Sequence, residues 1–254
     1  MSEFDLETLV CTRLDLQRVA THVLARRRHA VSGRFGLRAT PGGFGTPAFG
    51  EAIEVLRVSG MQLVREVGGD ASFLSLEGAC LADLAAFAGA DLTRPFDAGP
   101  ETPPLGDAQS PLAIDPDAAA TLADWFGLGW RAVDAAGGRG GVDGGSAARP
   151  SVLQLWPEHF DAGCSVAVGP GADDRCNLGV SPGDGSSDEP YLYVGPWGPE
   201  RPGDPTYWNA PFGAVLPRSA VLRSAAVGSA ASLATAVAFF RRGLSALGVV
   251  ATAE

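Results

Sequence analysis

Two β-type runs, residues 53–58 and 61–67, are separated only by Ser59-Gly60. A two-residue connection ending in glycine is what a tight hairpin requires. Strands joined this closely have no room for a crossover, so the chain is committed to antiparallel sheet. A further strand precedes the hairpin. Residues 34–40 alternate Phe35, Leu37 and Ala39 against Arg34, Gly36 and Arg38, and Pro41-Gly42-Gly43 turns the chain.

Helical patterns bracket these strands. Thr12-x-x-Asp15 reads as a capping-box-like start, with Leu16, Ala20 and Val23 on one face running to Arg28. Arg26-Arg27-Arg28 then complements the helix dipole. A short helix around residues 80–88 ends at Gly89, and residues 93–114 form a Pro-rich connection. Asp115-Pro116-Asp117 opens the next helix with an N-cap, a first-turn proline and acid at the positive dipole end. Its apolar stripe is Leu122, Trp125, Phe126 and Val133. Residues 137–148 are glycine-rich and are expected to be an exposed, mobile linker. Beyond them, strands are expected at 152–156, 164–168, 175–180 and 191–194. A loop over 196–205 and an extended run over 207–216 follow. A final helix carries Leu233, Val237, Phe240, Leu244 and Leu247 on one face.

The expected fold class is α+β: antiparallel sheet with helices at both termini, in halves 1–136 and 151–254 around a linker at 137–150. Arg34 to Gly42 and Arg175 to Gly183 share the pattern R-x-x-L-x-(A/V)-(S/T)-P-G. Two readings stay open: coincidence in a Gly/Pro-rich chain, or duplication of two α+β halves.

Composition removes several activities. All 19 basic residues are arginine, so the P-loop lysine, the Schiff-base lysine and the kinase lysine have no counterpart. A formal net charge of −10 opposes a phosphate backbone as partner, and no nucleic acid is expected. Residues 224–240 are uncharged, but their Ala, Ser and Gly content reads as a packed helix, not a membrane span. The acidic start lacks the pattern of a secretory signal, and the four cysteines form no C-x-x-C pair. Reduced thiols in the cytoplasm are the expectation.

Chemistry-bearing residues concentrate in 152–212. That stretch holds Trp156, Trp197, Trp208 and all three tyrosines, 191, 193 and 207. Glu158, His159 and Asp161 offer an imidazole with neighbouring carboxylates, the set for acid–base chemistry or part of a metal site. A mononuclear site needs further ligands, and only Asp184, Asp188 or Glu189 are candidates nearby. Pro157 favours a turn here, and a hydrogen-bonded structural histidine is the competing reading. Tyr191 and Tyr193 share a strand face, fit for a pocket wall. Trp197 and Trp208 flank a loop long enough to act as a lid. Backbone N–H groups of residues 42–46, beside Arg34 and Arg38, offer an anion nest. Gly179-Val-Ser181-Pro-Gly183 spells G-x-S-x-G, but Pro182 has no N–H for an oxyanion hole, so a plain turn is expected.

The run Leu153 to Asp161, with Trp156-Pro157-Glu158-His159-Phe160-Asp161, followed by Pro190 to Trp197, resembles uncharacterised actinobacterial proteins. The resemblance implies a GC-rich bacterial, intracellular source and no activity. The function expected is binding of a small, partly apolar ligand through Trp156, Tyr191, Tyr193, Trp197, Trp208, Arg34 and Arg38. The alternatives are a metal-assisted or acid–base enzyme, hydrolase-like, using His159 and Asp161 with Glu158, and a structural or regulatory partner protein. Neither a cofactor nor an oligomeric state can be read from the residues.

Overall fold

In a computed structural model, described over residues 5–138, 150–223 and 226–249, the chain is α+β with two five-stranded antiparallel sheets. It divides into two compact units. One comprises residues 1–124 with 155–161, and the other 125–154 with 162–254.

The first unit opens with α1 (Leu6–Val19), which passes through a π-helical segment (Ala20–Ala25) into α2 (Arg26–Ser32). Asp5, not Thr12, caps α1, accepting from Glu7 N at 3.1 Å. Thr12 and Asp15 lie inside the helix and do other work. The Thr12 hydroxyl accepts from Asp115 N, and Asp15 accepts from Ala113 N. The expected cap is thus a tether for the segment ahead of the fourth helix. Arg18, His22 and Arg26 follow at four-residue spacing and hold the Pro-rich connection by its carbonyls. Arg18 donates to Leu105 and Asp107, Arg26 to Asp91 and Arg94, and His22 Nε2 pairs with the Pro103 carbonyl.

The first sheet is a meander of β1 (Arg38–Thr40), β2 (Gly43–Gly45), β3 (Glu54–Ser59), β4 (Gln62–Val67) and β5 (Asp70–Ser75) in that order. The β3–β4 hairpin turns at Gly60-Met61, one residue later than expected. Residues 43–45, read as part of a loop with an anion nest, are instead β2, paired to strands on both sides. Gly43 is needed there because a Cβ would stand 2.4 Å from the Val58 carbonyl oxygen. Strand β5 has no counterpart in the sequence reading. Leu56, Val58 and Leu63 face the core with Leu9, Leu16, Val23 and Leu24. On the same sheet face Glu54, 4% exposed, binds Arg27 of α2 at 2.8 Å and Arg65 of β4 at 2.9 Å. Helix α3 (Leu81–Ala88) ends at Gly89 as expected.

Helix α4 (Pro116–Val133) runs from the first unit into the second, with Asp115 capping it through Asp117 N and Ala118 N. Trp125, Phe126 and Val133 are fully buried. A helical segment (Asp134–Gly138) follows, and residues 139–149 of the expected linker lie outside the described residues.

The second sheet has the order β10 (Ala214–Pro217), β9 (Tyr191–Pro196), β8 (Arg175–Ser181), β7 (Asp161–Ala167), β6 (Gln154–Trp156). After it come α5 (Arg218–Val221) and α6 (Ala230–Ala246), the latter capped by Ser229. Phe240 and Leu244 of α6 are buried as expected, together with Ser232, Ala236 and Gly243, whereas Leu233, Val237 and Leu247 are half-buried. Among the described residues no helix is long and apolar enough to cross a membrane.

Helix, five-strand meander and helix thus occur twice in chain order. The repeated motif does not mark this. Its first copy leads into edge strand β1 and its second forms central strand β8. Duplication is not established.

Candidate functional site

The Trp156-to-Asp161 segment is a turn built against α1. Gln17 Nε2 donates to the Glu158 carbonyl at 2.6 Å, and the Thr21 hydroxyl to the Pro157 carbonyl at 2.8 Å. Four residues apart on one helix face, these side chains hold consecutive carbonyls. Phe160 N donates to the Trp156 carbonyl, which closes the turn and forces Phe160 to a φ of +55°. That conformation is costly for a side chain with a Cβ. Burial offsets it, since Phe160 is 1% exposed and meets Phe44 edge-on at 5.1 Å.

The closed turn turns His159 outward and Glu158 inward. His159 Nδ1 lies 2.9 Å from Glu101 Oε2, and among the described residues Nε2 takes no partner. Glu101 stands on a turn fixed by Asp97, which accepts from Gly99 N, and by Thr102, which accepts from Ala98 N. Asp161, expected to share a strand face with His159, begins β7 instead, and Glu101 is the carboxylate on the imidazole. Glu158 is 5% exposed, packs its carboxyl against Gly99, and leaves Oε2 unpartnered among the described residues. Burial raises its pKa. Its own backbone N–H and His159 oppose the rise, while Asp161 and Glu101 add to it.

Beside this turn runs a row of rings. Trp156 is tilted against Phe35 at 6.5 Å, Phe35 against His29 at 6.4 Å, and His29 against Phe96 at 5.5 Å. The Arg26 guanidinium sits 5.4 Å from the Phe96 centroid. Trp156 and His29 are exposed and the two phenylalanines half-buried. Arg34 and Arg38 are exposed on the strand arm that carries Phe35. Sequence reasoning missed Phe35, His29, Phe96 and Glu101 as site residues. Glu101 lies 58 positions from His159 in a Pro-rich stretch and carries no local signal.

Tyr191, Tyr193, Trp197 and Trp208 belong to the other compact unit. Tyr191 and Tyr193 do share a face, with centroids 6.2 Å apart, and the Tyr191 hydroxyl donates to Asp184. Tyr193 continues edge-on to Phe212 at 6.4 Å and lies across Gly179, where a Cβ would stand 2.3 Å from its ring. Trp197 donates to Asn177 Oδ1, with Arg175 over its ring. Trp208 donates to the Pro202 carbonyl and packs edge-on against Tyr207 at 4.8 Å. Arg201 reaches the Gly198, Glu200 and Phe212 carbonyls, and Arg242 pairs with Asp204. The loop expected as a lid is therefore stapled to its own unit by its arginines and rings.

The remaining candidates are structural. Ser181 is 3% exposed and accepts from Gly183 N, the plain turn expected. Burial pushes the Cys164 thiol up to about 11 and Cys176 to about 12, away from the thiolate a nucleophile needs. Among the described residues no group of three or more His, Cys, Asp or Glu side chains is placed to hold a metal ion. Comparison with protein-family models, with curated proteins and with solved structures finds no match to this chain.

Proposed function

We propose that the protein binds a small, partly apolar ligand on the first unit, at the surface formed by Trp156, Phe35, His29 and His159. The observation that carries this reading is the ring row, exposed at Trp156 and His29, whose Trp156 opens the same turn that presents an imidazole with Nδ1 held by Glu101 and, among the described residues, no partner on Nε2. Ring faces supply apolar contact area at low entropic cost, and the imidazole nitrogen gives a directed polar contact. Glu101 favours the Nδ1–H tautomer, which leaves Nε2 as an acceptor. Tyr191, Trp197 and Trp208 donate within their own unit and Tyr193 packs across Gly179 there, which makes them weaker candidates. Saturation-transfer NMR with a library of small aromatic and heteroaromatic compounds tests the reading. Binders of the wild type should be lost in Trp156→Ala and weakened in His159→Ala. Equal binding by both variants sinks it.

A second reading, acid–base catalysis, is favoured by the same dyad. His159 with Glu101 behind it has the geometry of an oriented general base, whereas Glu158, which the sequence groups with it, faces inward. Turnover of small ester substrates that disappears in His159→Ala would favour this reading over binding alone.

A further inference from the structure

We propose that the outer edge of β5 is a homodimerisation strand, pairing antiparallel with β5 of a second copy about Phe73. Strand β5 pairs with β4 on one side only. All its residues are exposed except half-buried Leu74, and Phe73 is 58% exposed. Two-residue turns close both adjoining hairpins, at the pairs Ser59–Gln62 and Val67–Asp70. A closing pair in such a hairpin exchanges both backbone hydrogen bonds, and bonded pairs then alternate. Asp70, Ser72 and Leu74 therefore bond inward to β4, while Ala71, Phe73 and Ser75 direct their N–H and C=O groups outward.

Among the described residues the other sheet edges carry blocking devices. Leu37, just ahead of β1, exchanges both backbone bonds with Leu155 of β6. On β10 the Asn209 side chain binds both Val215 N and Val215 O, and the strand ends in Pro217. Strand β5 has none of these devices: no proline, no bulge, and no charge from Ala71 to Ser75. An open, uncharged edge of this length is a template for another strand.

A second copy of β5 fits this edge, with apolar Phe73 at its centre. In an antiparallel pair of identical strands, only the register centred on Phe73 gives Ala71, Phe73 and Ser75 each an outward-facing partner. Ala71 then meets Ser75 of the other copy, and the Phe73 rings meet across the two-fold axis. Asp70 falls opposite Leu76, so two copies of an acidic chain join there without opposed like charges. The product is a continuous sheet through two copies of the first unit, with a small interface and therefore concentration-dependent pairing.

Sedimentation of the full chain over a concentration series tests this. The wild type should rise from the chain mass toward twice that mass. Ala71→Pro removes one outward N–H without touching the β4 ladder and should remain at the chain mass, with an unchanged circular-dichroism melt showing that it folds. Phe73→Arg and Phe73→Glu should each stay monomeric, and mixing the two should restore the doubled mass, since opposite charges then meet at the two-fold. A wild type that stays at the chain mass, a dimer that survives Ala71→Pro, or a mixture that fails to pair overturns the proposal.

Discussion

The Thr21 hydroxyl donates to the Pro157 carbonyl at 2.8 Å, joining residues 136 positions apart. With Gln17 on the Glu158 carbonyl, it sets the turn that presents His159. Thr21 is fully buried, so Thr21→Val, nearly equal in shape, leaves the carbonyl unpaired away from water. The expected loss is about 1–3 kcal/mol, the cost of an unsatisfied buried acceptor. Urea unfolding measures it. A change within a few tenths would mean the carbonyl finds another donor.

Glu54 is the centre of a charge triad with Arg27 and Arg65. Glu54→Gln removes the buried carboxylate and leaves two guanidiniums facing each other over a neutral amide. The full cost of breaking a buried pair is about 3–5 kcal/mol. Here both arginines keep access to solvent, which screens the loss, so about 2–3 kcal/mol is expected. The thermal midpoint should fall accordingly. A double replacement Arg27→Met with Glu54→Gln should be milder than the sum of the singles.

Two buried groups give opposite pH slopes. His22 has its pKa lowered by burial first and by Arg26 and Arg18 next, against the pull of the Pro103 carbonyl. Its contribution is present above the ordinary value of 6.5 and is lost as pH falls through the depressed folded value. Glu158, raised above its ordinary 4.5, contributes below that pH, and the contribution is lost as pH rises through the folded value. Replacing His22 with Gln should flatten the acid-side decline. Glu158→Gln should flatten the decline on the rising side. Unfolding free energies across pH 4 to 8, roughly the span of these ordinary values, separate them. An unchanged profile in both variants would contradict the burial argument.

Cys11 is exposed, whereas Cys80, Cys164 and Cys176 are buried. In the native protein an aromatic disulfide reagent should modify Cys11 alone, with the other thiols reacting only after denaturation. Fast native modification of Cys164 or Cys176 would show that the β7–β8 packing opens readily.

Gly179→Ala places a Cβ where the Tyr193 ring lies. The ring must move, and overpacking of this kind costs about 1–3 kcal/mol. The fluorescence-detected unfolding midpoint should fall. No fall would mean that the ring swings aside freely.

The amino-acid order alone determined the features that are short-range: the β3–β4 hairpin, the Asp115 cap of α4, the stop of α3 at Gly89, and the α+β class. Each depends on turn chemistry or on a periodicity that neighbouring residues complete. Strand β5 escaped notice because its exposed run, Asp70 to Ser75, buries little and so has no clear apolar alternation. Thr12 and Asp15 mimic a cap in sequence, yet tertiary packing places them mid-helix and turns their oxygens to Asp115 N and Ala113 N. At the candidate site, the sequence pointed to His159 but assigned it Asp161 and the tyrosines of β9. The fold paired it with Glu101 instead and set Trp156 beside Phe35. Hydrogen bonds and ring contacts reach only a few ångströms, and which distant residues come within that reach depends on how the whole chain buries its apolar surface.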